Sequence, residues 1–344
     1  MAKRKQTRRK DQGSPGLHEL DIAALNRAFY GSDPAGYFHR RLQVLLALAA
    51  SSEAERRAET VTHKFGKIEI TIPSISDEED EEDDYKRFVL VEAEMLVHHA
   101  AETLLRMFIA HSGTPQVPWI EMSKLRGPGE LKRRLKAMRR RSGSKGLRDE
   151  IGHAFLGHGD IPAHWDDDQR AKHEQARNDI SEYLDYFTGL LLEREQSYNA
   201  VKHGLAMQAG EPAIKVGDIE ELSAKGPAIS HLDHRRGEEG HSEWVVSTTW
   251  IPLELDLSLA HIGARLLSVL WEVARIRYAK WPIPEGGLSI PSIPLSEIRK
   301  AAYGEDPQVV VHEVAFPPAM FSPPGSGVDA LISKLDGDKP KEQE

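Results

Sequence analysis

The chain has 344 residues, 40% apolar and 29% charged, with 45 Lys and Arg against 54 Asp and Glu and a formal net charge of −9. That is enough apolar material to bury a sizeable core in one large or two ordinary domains. No cysteine is present, which excludes disulfides, thiolate nucleophiles and thiolate-bound zinc and leaves only His and carboxylates as metal ligands. No run of about 18 apolar residues occurs, and the basic start, Met1-Ala2-Lys3-Arg4-Lys5, leads into polar residues. The expectation is therefore a cytoplasmic protein with no membrane span and no secretory signal.

Residues 1–18 open with Lys3, Arg4, Lys5, Arg8, Arg9 and Lys10 and little that is apolar, so they are expected to form a disordered basic arm. Such an arm is read first as a solubilising tail and, second, as an attractor of nucleic acid or an acidic partner. A mainly α domain is predicted over 19–281. It is a bundle of about five to seven helices, with β insertions at about 66–73 and 213–252 forming a small antiparallel sheet or hairpin. Ser32-Asp33-Pro34 supplies a cap followed by a first-turn proline, and Phe38, Leu42, Leu45, Leu46 and Ala49 recur at helical spacing to about Ala58. Lys67 to Ile72 alternates and stops at Pro73, the pattern of a half-buried strand. The acids Asp77 to Asp84 repel one another, which suits a loop or a helix N-terminus.

Phe88 to His111 reads as a strong helix carrying His99, Glu102 and Arg106, the last two at ion-pair spacing. Residues 112–129 read as a loop, with Trp119-Ile120 as its anchor into the core. Gly129 to Arg141 is amphipathic. Leu131, Leu135 and Met138 make its apolar stripe, and Lys132, Arg133, Arg134, Lys136, Arg139 and Arg140 make a face suited to phosphates, with Lys145 and Arg148 continuing it. The same face also fits a solvated surface or a partner for the acidic run. No aromatics interleave there, so backbone contact is the most that it supports. His153, His158, His164 and His173 follow among Gly and Asp. Their spacing defines no metal site, and no cofactor is implied.

A long helix is predicted from about Asp166 to His203, ending Tyr198-Asn199-Ala200-Val201-Lys202-His203-Gly204. Asn199 and His203 share a face, and an imidazole in the last turn sits near carbonyls whose dipole favours its protonated form. This is a candidate site and equally an ordinary helix stop. Trp244 to Trp250 has strand composition, with weaker strand patterns at Ile214 to Val216 and Ala228 to Ser230. Asp256 or Ser258 is expected to cap a final core helix that Pro282 ends. Residues 282–344 are Pro-rich, with one strand pattern at Val309 to Val314 and expected disorder from about Gly337.

A helix with Val91-Glu92-Ala93-Glu94 and Ala101-Glu102-Thr103-Leu104-Leu105-Arg106, paired with a long one ending Tyr-Asn-x-x-Lys-His-Gly, resembles the HEPN superfamily of prokaryotic helical-bundle proteins. The resemblance covers about 85–205. It implies an RNA-binding protein or a metal-independent endoribonuclease of a phage-defence or toxin system, working as a homodimer. In catalytic members an arginine precedes the histidine with four to six residues between them. Here His203 matches the histidine and Asn199 the polar position, but Tyr198 stands where the arginine belongs. The resemblance assigns His203 as general acid or base, Asn199 as its orienter and Lys202 as the cation, with Tyr198, Glu102, Arg106 and His99 in support. The alternative is a non-catalytic helical module that binds a protein partner or nucleic acid through its charged surfaces. On either reading no membrane partner is implied.

Overall fold

A computed structural model describes residues 18–50, 61–65, 68–72, 81–202, 207–210, 213–216, 219–236, 242–250, 252–285, 290–291, 293–303 and 311–316. The basic arm up to residue 17, the helix continuation to Ala58, the acids Asp77 to Asp80, His203 with Gly204, and the expected tail from Gly337 lie outside the described residues.

The described chain is mainly helical, with more helices than the five to seven expected and small antiparallel β elements. In order, the helices are α1 Glu19–Tyr30, α2 Pro34–Ala50, α3 Glu81–Ser112, α4 Pro118–Lys124, α5 Pro128–Arg140, α6 Lys145–Phe155, α7 Asp167–Glu193, α8 Glu195–Lys202, α9 Leu253–Ala279 and α10 Leu295–Tyr303. The strands are β1 Val61–Phe65, β2 Ile68–Ile72, β3 Met207–Gly210, β4 Ala213–Val216, β5 Ile219–Lys225, β6 Ala228–Arg236, β7 Ser242–Trp250 and β8 Val311–Phe316. β3, β6, β7 and β8 form one antiparallel sheet in that order, with Ile229 opposite Thr249 and Val246 opposite Val314. The isoleucine strand β2 does not join it. It pairs with β1 in a separate hairpin, and β4 pairs with β5 in another. The nearest complementary edge in sequence captures a short strand before a distant sheet can, because loop closure is cheapest there.

Several boundaries follow local chemistry. α7 starts with a reciprocal box: Gln169 N donates to Asp166 Oδ1 at 2.8 Å and Asp166 N to Gln169 Oε1 at 3.2 Å. Ser144 Oγ accepts from Leu147 N at 3.2 Å at the start of α6. The second half of the acidic run, 81–84, forms the first turn of α3, where negative charge is favoured.

Four expectations need correction. Residues 118–124 are helical, because Pro118 presets its first turn. Trp119 is not a core anchor: it is 44% exposed and stacks on Phe29 at 5.5 Å, while Val117, Pro118 and Leu125 are the buried residues. The long rod is interrupted at Arg194, although Arg194 N still donates to Leu190 O and Tyr198 N to Arg194 O, both at 3.0 Å. Asp256 is no cap: α9 starts one turn earlier and carries Asp256 inward at 1% exposure.

The chain divides into two compact units, 1–34 with 105–181 and 266–290, and 35–104 with 182–265 and 291–344. The first has a core of Tyr30, Phe108, Leu135, Ile151, Phe155 and Trp271, with the indole of Trp271 donating to Ser32 O at 2.8 Å. Leu131, Leu135 and Met138 of α5 are buried as their spacing predicts, each contributing about 1.5–3 kcal/mol. In the second unit α3, α7 and α9 meet closely at Gly263, where a Cβ would stand 3.3 Å from Ala100 Cβ and 3.6 Å from Phe187 Cζ. A side chain there would be a tight fit, so glycine eases the close approach of the helices. α9 is long and apolar enough to cross a membrane, but 72% of its apolar window is buried inside the protein, as befits a core helix.

Candidate functional site

The second unit holds a charged cluster within its helical core. Glu94 and His98 lie one turn apart on α3, both fully buried, with His98 Nε2 2.9 Å from Glu94 Oε1. Ser197 Oγ of α8 donates to the same oxygen at 3.5 Å, and Arg194 Nη1 lies 4.0 Å from Glu94 Oε2. Asp256 of α9 is the second buried carboxyl beside them. Burial raises the pKa of both acids, but the outcomes diverge. At Glu94 the His98 imidazole and the Arg194 guanidinium outweigh burial and hold the carboxyl below its ordinary range. At Asp256 burial and the neighbouring Glu94 charge prevail over Arg194, and the carboxyl rises well above its ordinary range. Of the two carboxyls, Asp256 is therefore the one that holds a proton more tightly and Glu94 the one that gives it up first. Burial also raises the Tyr186 hydroxyl, to about 12, so it stays neutral beside Arg194.

Above this layer α3 and α8 present a second group, partly open to solvent. The Tyr198 ring lies on His98, and its hydroxyl donates to Glu102 Oε2 at 3.3 Å. Lys202 Nζ is 6.0 Å from the centre of the Tyr198 ring. His99 is half-buried against Phe38 and Tyr37, at 5.1 and 5.8 Å between rings. Its pKa is lowered by burial and by the positive charges of Arg41 and Lys202, against which Glu102 acts in the opposite sense. Arg41 of α2 bridges to Glu92 at 2.6 Å and donates to Tyr37 Oη at 3.3 Å. This face therefore combines an uncharged imidazole, a phenol, a carboxylate and two cations.

Of the residues singled out in the sequence, His99, Glu102, Tyr198 and Lys202 come together here. Asn199 is exposed on α8, and His203 lies outside the described residues. Arg106 donates a hydrogen bond to the Leu125 carbonyl in the first unit. Sequence reading missed Glu94, His98, Arg194, Asp256 and Arg41. The only local sign was Glu94 and His98 at helical spacing, because a carboxyl from a distant helix is invisible to periodicity.

The cationic helix α5 belongs to the first unit. Lys136 and Arg140 are exposed one turn apart, Arg133 and Arg134 engage Glu130 at 2.6 and 3.1 Å, and Lys132 and Arg139 also have partners. Part of the positive face is thus already compensated. Among the described residues no group of three or more His and carboxylates gathers as a metal centre. No family model, curated protein or solved structure matches this chain.

Proposed function

We propose that this chain is an HEPN-like, RNA-directed protein that cleaves phosphodiester bonds without a metal on the face formed by α3 and α8. One observation carries the reading: half-buried His99, held uncharged by burial, stands among Glu102, Lys202 and Arg41, with the Tyr198 hydroxyl on Glu102. An uncharged imidazole accepts the proton of a ribose 2′-hydroxyl as that oxygen attacks phosphorus. The two cations stabilise the charge that grows on the phosphoryl oxygens. The 5′-oxygen leaves as its bond to phosphorus breaks, taking a proton from a second acid. His203, adjacent to Lys202 in sequence, is the candidate for that role.

The test is incubation of the purified protein with assorted RNAs in excess chelator. Native protein should yield fragments with cyclic phosphate ends, and His99→Ala and His203→Ala should each lose at least a hundredfold in rate. Equal rates in native protein and both variants would end the cleavage reading. A second reading, a non-catalytic nucleic-acid-binding module, is favoured by the aromatic Tyr198 in the arginine position and by the exposed cations of α5. Its signature is RNA binding without cleavage.

A further inference from the structure

In the first unit the segment between α6 and α7 lies beside α7 and lines with it an open cleft of about 510 Å³. That volume falls in the range of small-molecule sites. Its apolar walls are Phe155, Leu156, Trp165 and Ile290, and His173 lines it with Gln169 and Lys172. His173 is 6% exposed, yet among the described residues neither ring nitrogen has a hydrogen-bond partner. A buried imidazole with a donor and an acceptor both unused costs about 1–3 kcal/mol for each group, so such sites are ordinarily filled.

The Trp165 ring packs at steep angles against His173 at 5.3 Å and His158 at 6.0 Å. It is held there by construction. Arg170 donates to the Trp165 carbonyl and to the Ala163 carbonyl, both at 2.8 Å, and Trp165 N donates to Pro162 O at 3.2 Å. Gly152 lets the segment lie against α6, since a Cβ there would come within 2.6 Å of the His158 carbonyl oxygen. The charges around the cleft are already paired. Lys172 holds Asp168 at 2.6 Å, and Arg177 holds Asp149 at 2.8 Å and Glu174 at 3.1 Å. Burial and the Arg177 charge disfavour protonation of His173.

From an aromatic wall, an unsatisfied donor and acceptor, and no spare charge, we infer that this cleft binds a neutral planar nitrogen heterocycle of the nucleobase class. Trp165 and Phe155 supply ring contacts, and His173 hydrogen-bonds to an edge atom of the ligand. Carbocyclic rings leave His173 unsatisfied. An anion would meet Lys172 already engaged by Asp168. The inference is independent of the cleavage reading and survives its failure.

The base can arrive as a free nucleoside or as an unstacked base of single-stranded RNA, and two arms separate these sources. The full chain is titrated calorimetrically with adenosine, guanosine, cytidine and uridine, and by fluorescence anisotropy with a labelled RNA dodecamer. At least one nucleoside should bind one-to-one, with affinity reduced tenfold or more in His173→Phe and in Trp165→Leu. If the dodecamer loses affinity in the same variants and the nucleoside displaces it, the source is a strand base. If the dodecamer is indifferent, the source is the free nucleoside. Circular dichroism checks folding, and should His173→Phe fail to fold, the surface-loop variant Trp165→Leu decides. No binding of either probe, or equal binding by native protein and folded variants, overturns the assignment. Adenosine monophosphate binding tenfold more tightly than adenosine would overturn the neutrality of the ligand.

Discussion

Tyr198 lies flat on His98, ring centres 5.0 Å apart and planes 9° from parallel. The aromatic ring closes the roof of the buried Glu94 cluster, and its hydroxyl reaches the half-open layer through Glu102. Tyr198→Phe keeps the ring and should cost only about 0.5–1 kcal/mol in urea unfolding. Tyr198→Ala removes the roof and should cost about 2–3 kcal/mol. Equal losses in the two variants would mean that the stacking contributes nothing.

The two buried carboxyls are predicted to be unequal. Asp256 holds its proton to higher pH than an ordinary aspartate, and Glu94 keeps its charge to lower pH than an ordinary glutamate. Asp256→Asn should therefore be nearly neutral for stability at pH 7. Glu94→Gln, which strands Arg194 and His98 without their anion, should cost about 3–5 kcal/mol. The raised Asp256 carboxyl also makes native stability decline as pH climbs from its unfolded value of 3.8 toward its folded one, because the native state keeps a proton that the unfolded chain releases. Unfolding at several pH values should show that decline flattened in Asp256→Asn.

Acid sensitivity should arise at His111. Tyr30 Oη lies 2.5 Å from its Nε2 and its Nδ1 is 2.6 Å from the Met107 carbonyl, so Nδ1 donates and Nε2 accepts. Burial, with the Arg277 charge added, lowers its pKa from 6.5 to about 4. The unfolded chain therefore takes up the proton first. Stability is complete above pH 6.5 and is lost as pH falls toward 4, by about 3 kcal/mol in all. Native protein should lose that much more than His111→Phe between pH 7 and pH 4 in parallel denaturation series.

If α5 contacts RNA phosphates, log affinity falls linearly with log salt, with a slope of about 0.7 per contact on a single strand. Replacing exposed Lys136 and Arg140 by alanine should reduce that slope by about 1.4, weakening binding alike for unrelated sequences. An unchanged slope would assign these two cations to a solvated surface.

The amino-acid order by itself determined what depends on near neighbours. Leu131, Leu135 and Met138 announced the buried stripe of α5, the helix expected from about Asp166 begins there as α7, and the β-branched run at Trp244 to Trp250 announced β7. These are properties of a periodic backbone meeting water on one side, and they are readable within a few residues. Tertiary structure alone decided the rest. Asp256 looked like a helix cap and became a buried neighbour of Glu94 that holds its proton more tightly than an ordinary aspartate. Arg194, which no local pattern in the sequence ties to a carboxyl, lies 4.0 Å from Glu94 in that core. Whether a carboxyl holds its proton depends on the field at its final address, and that field comes from side chains brought near only when the helices pack.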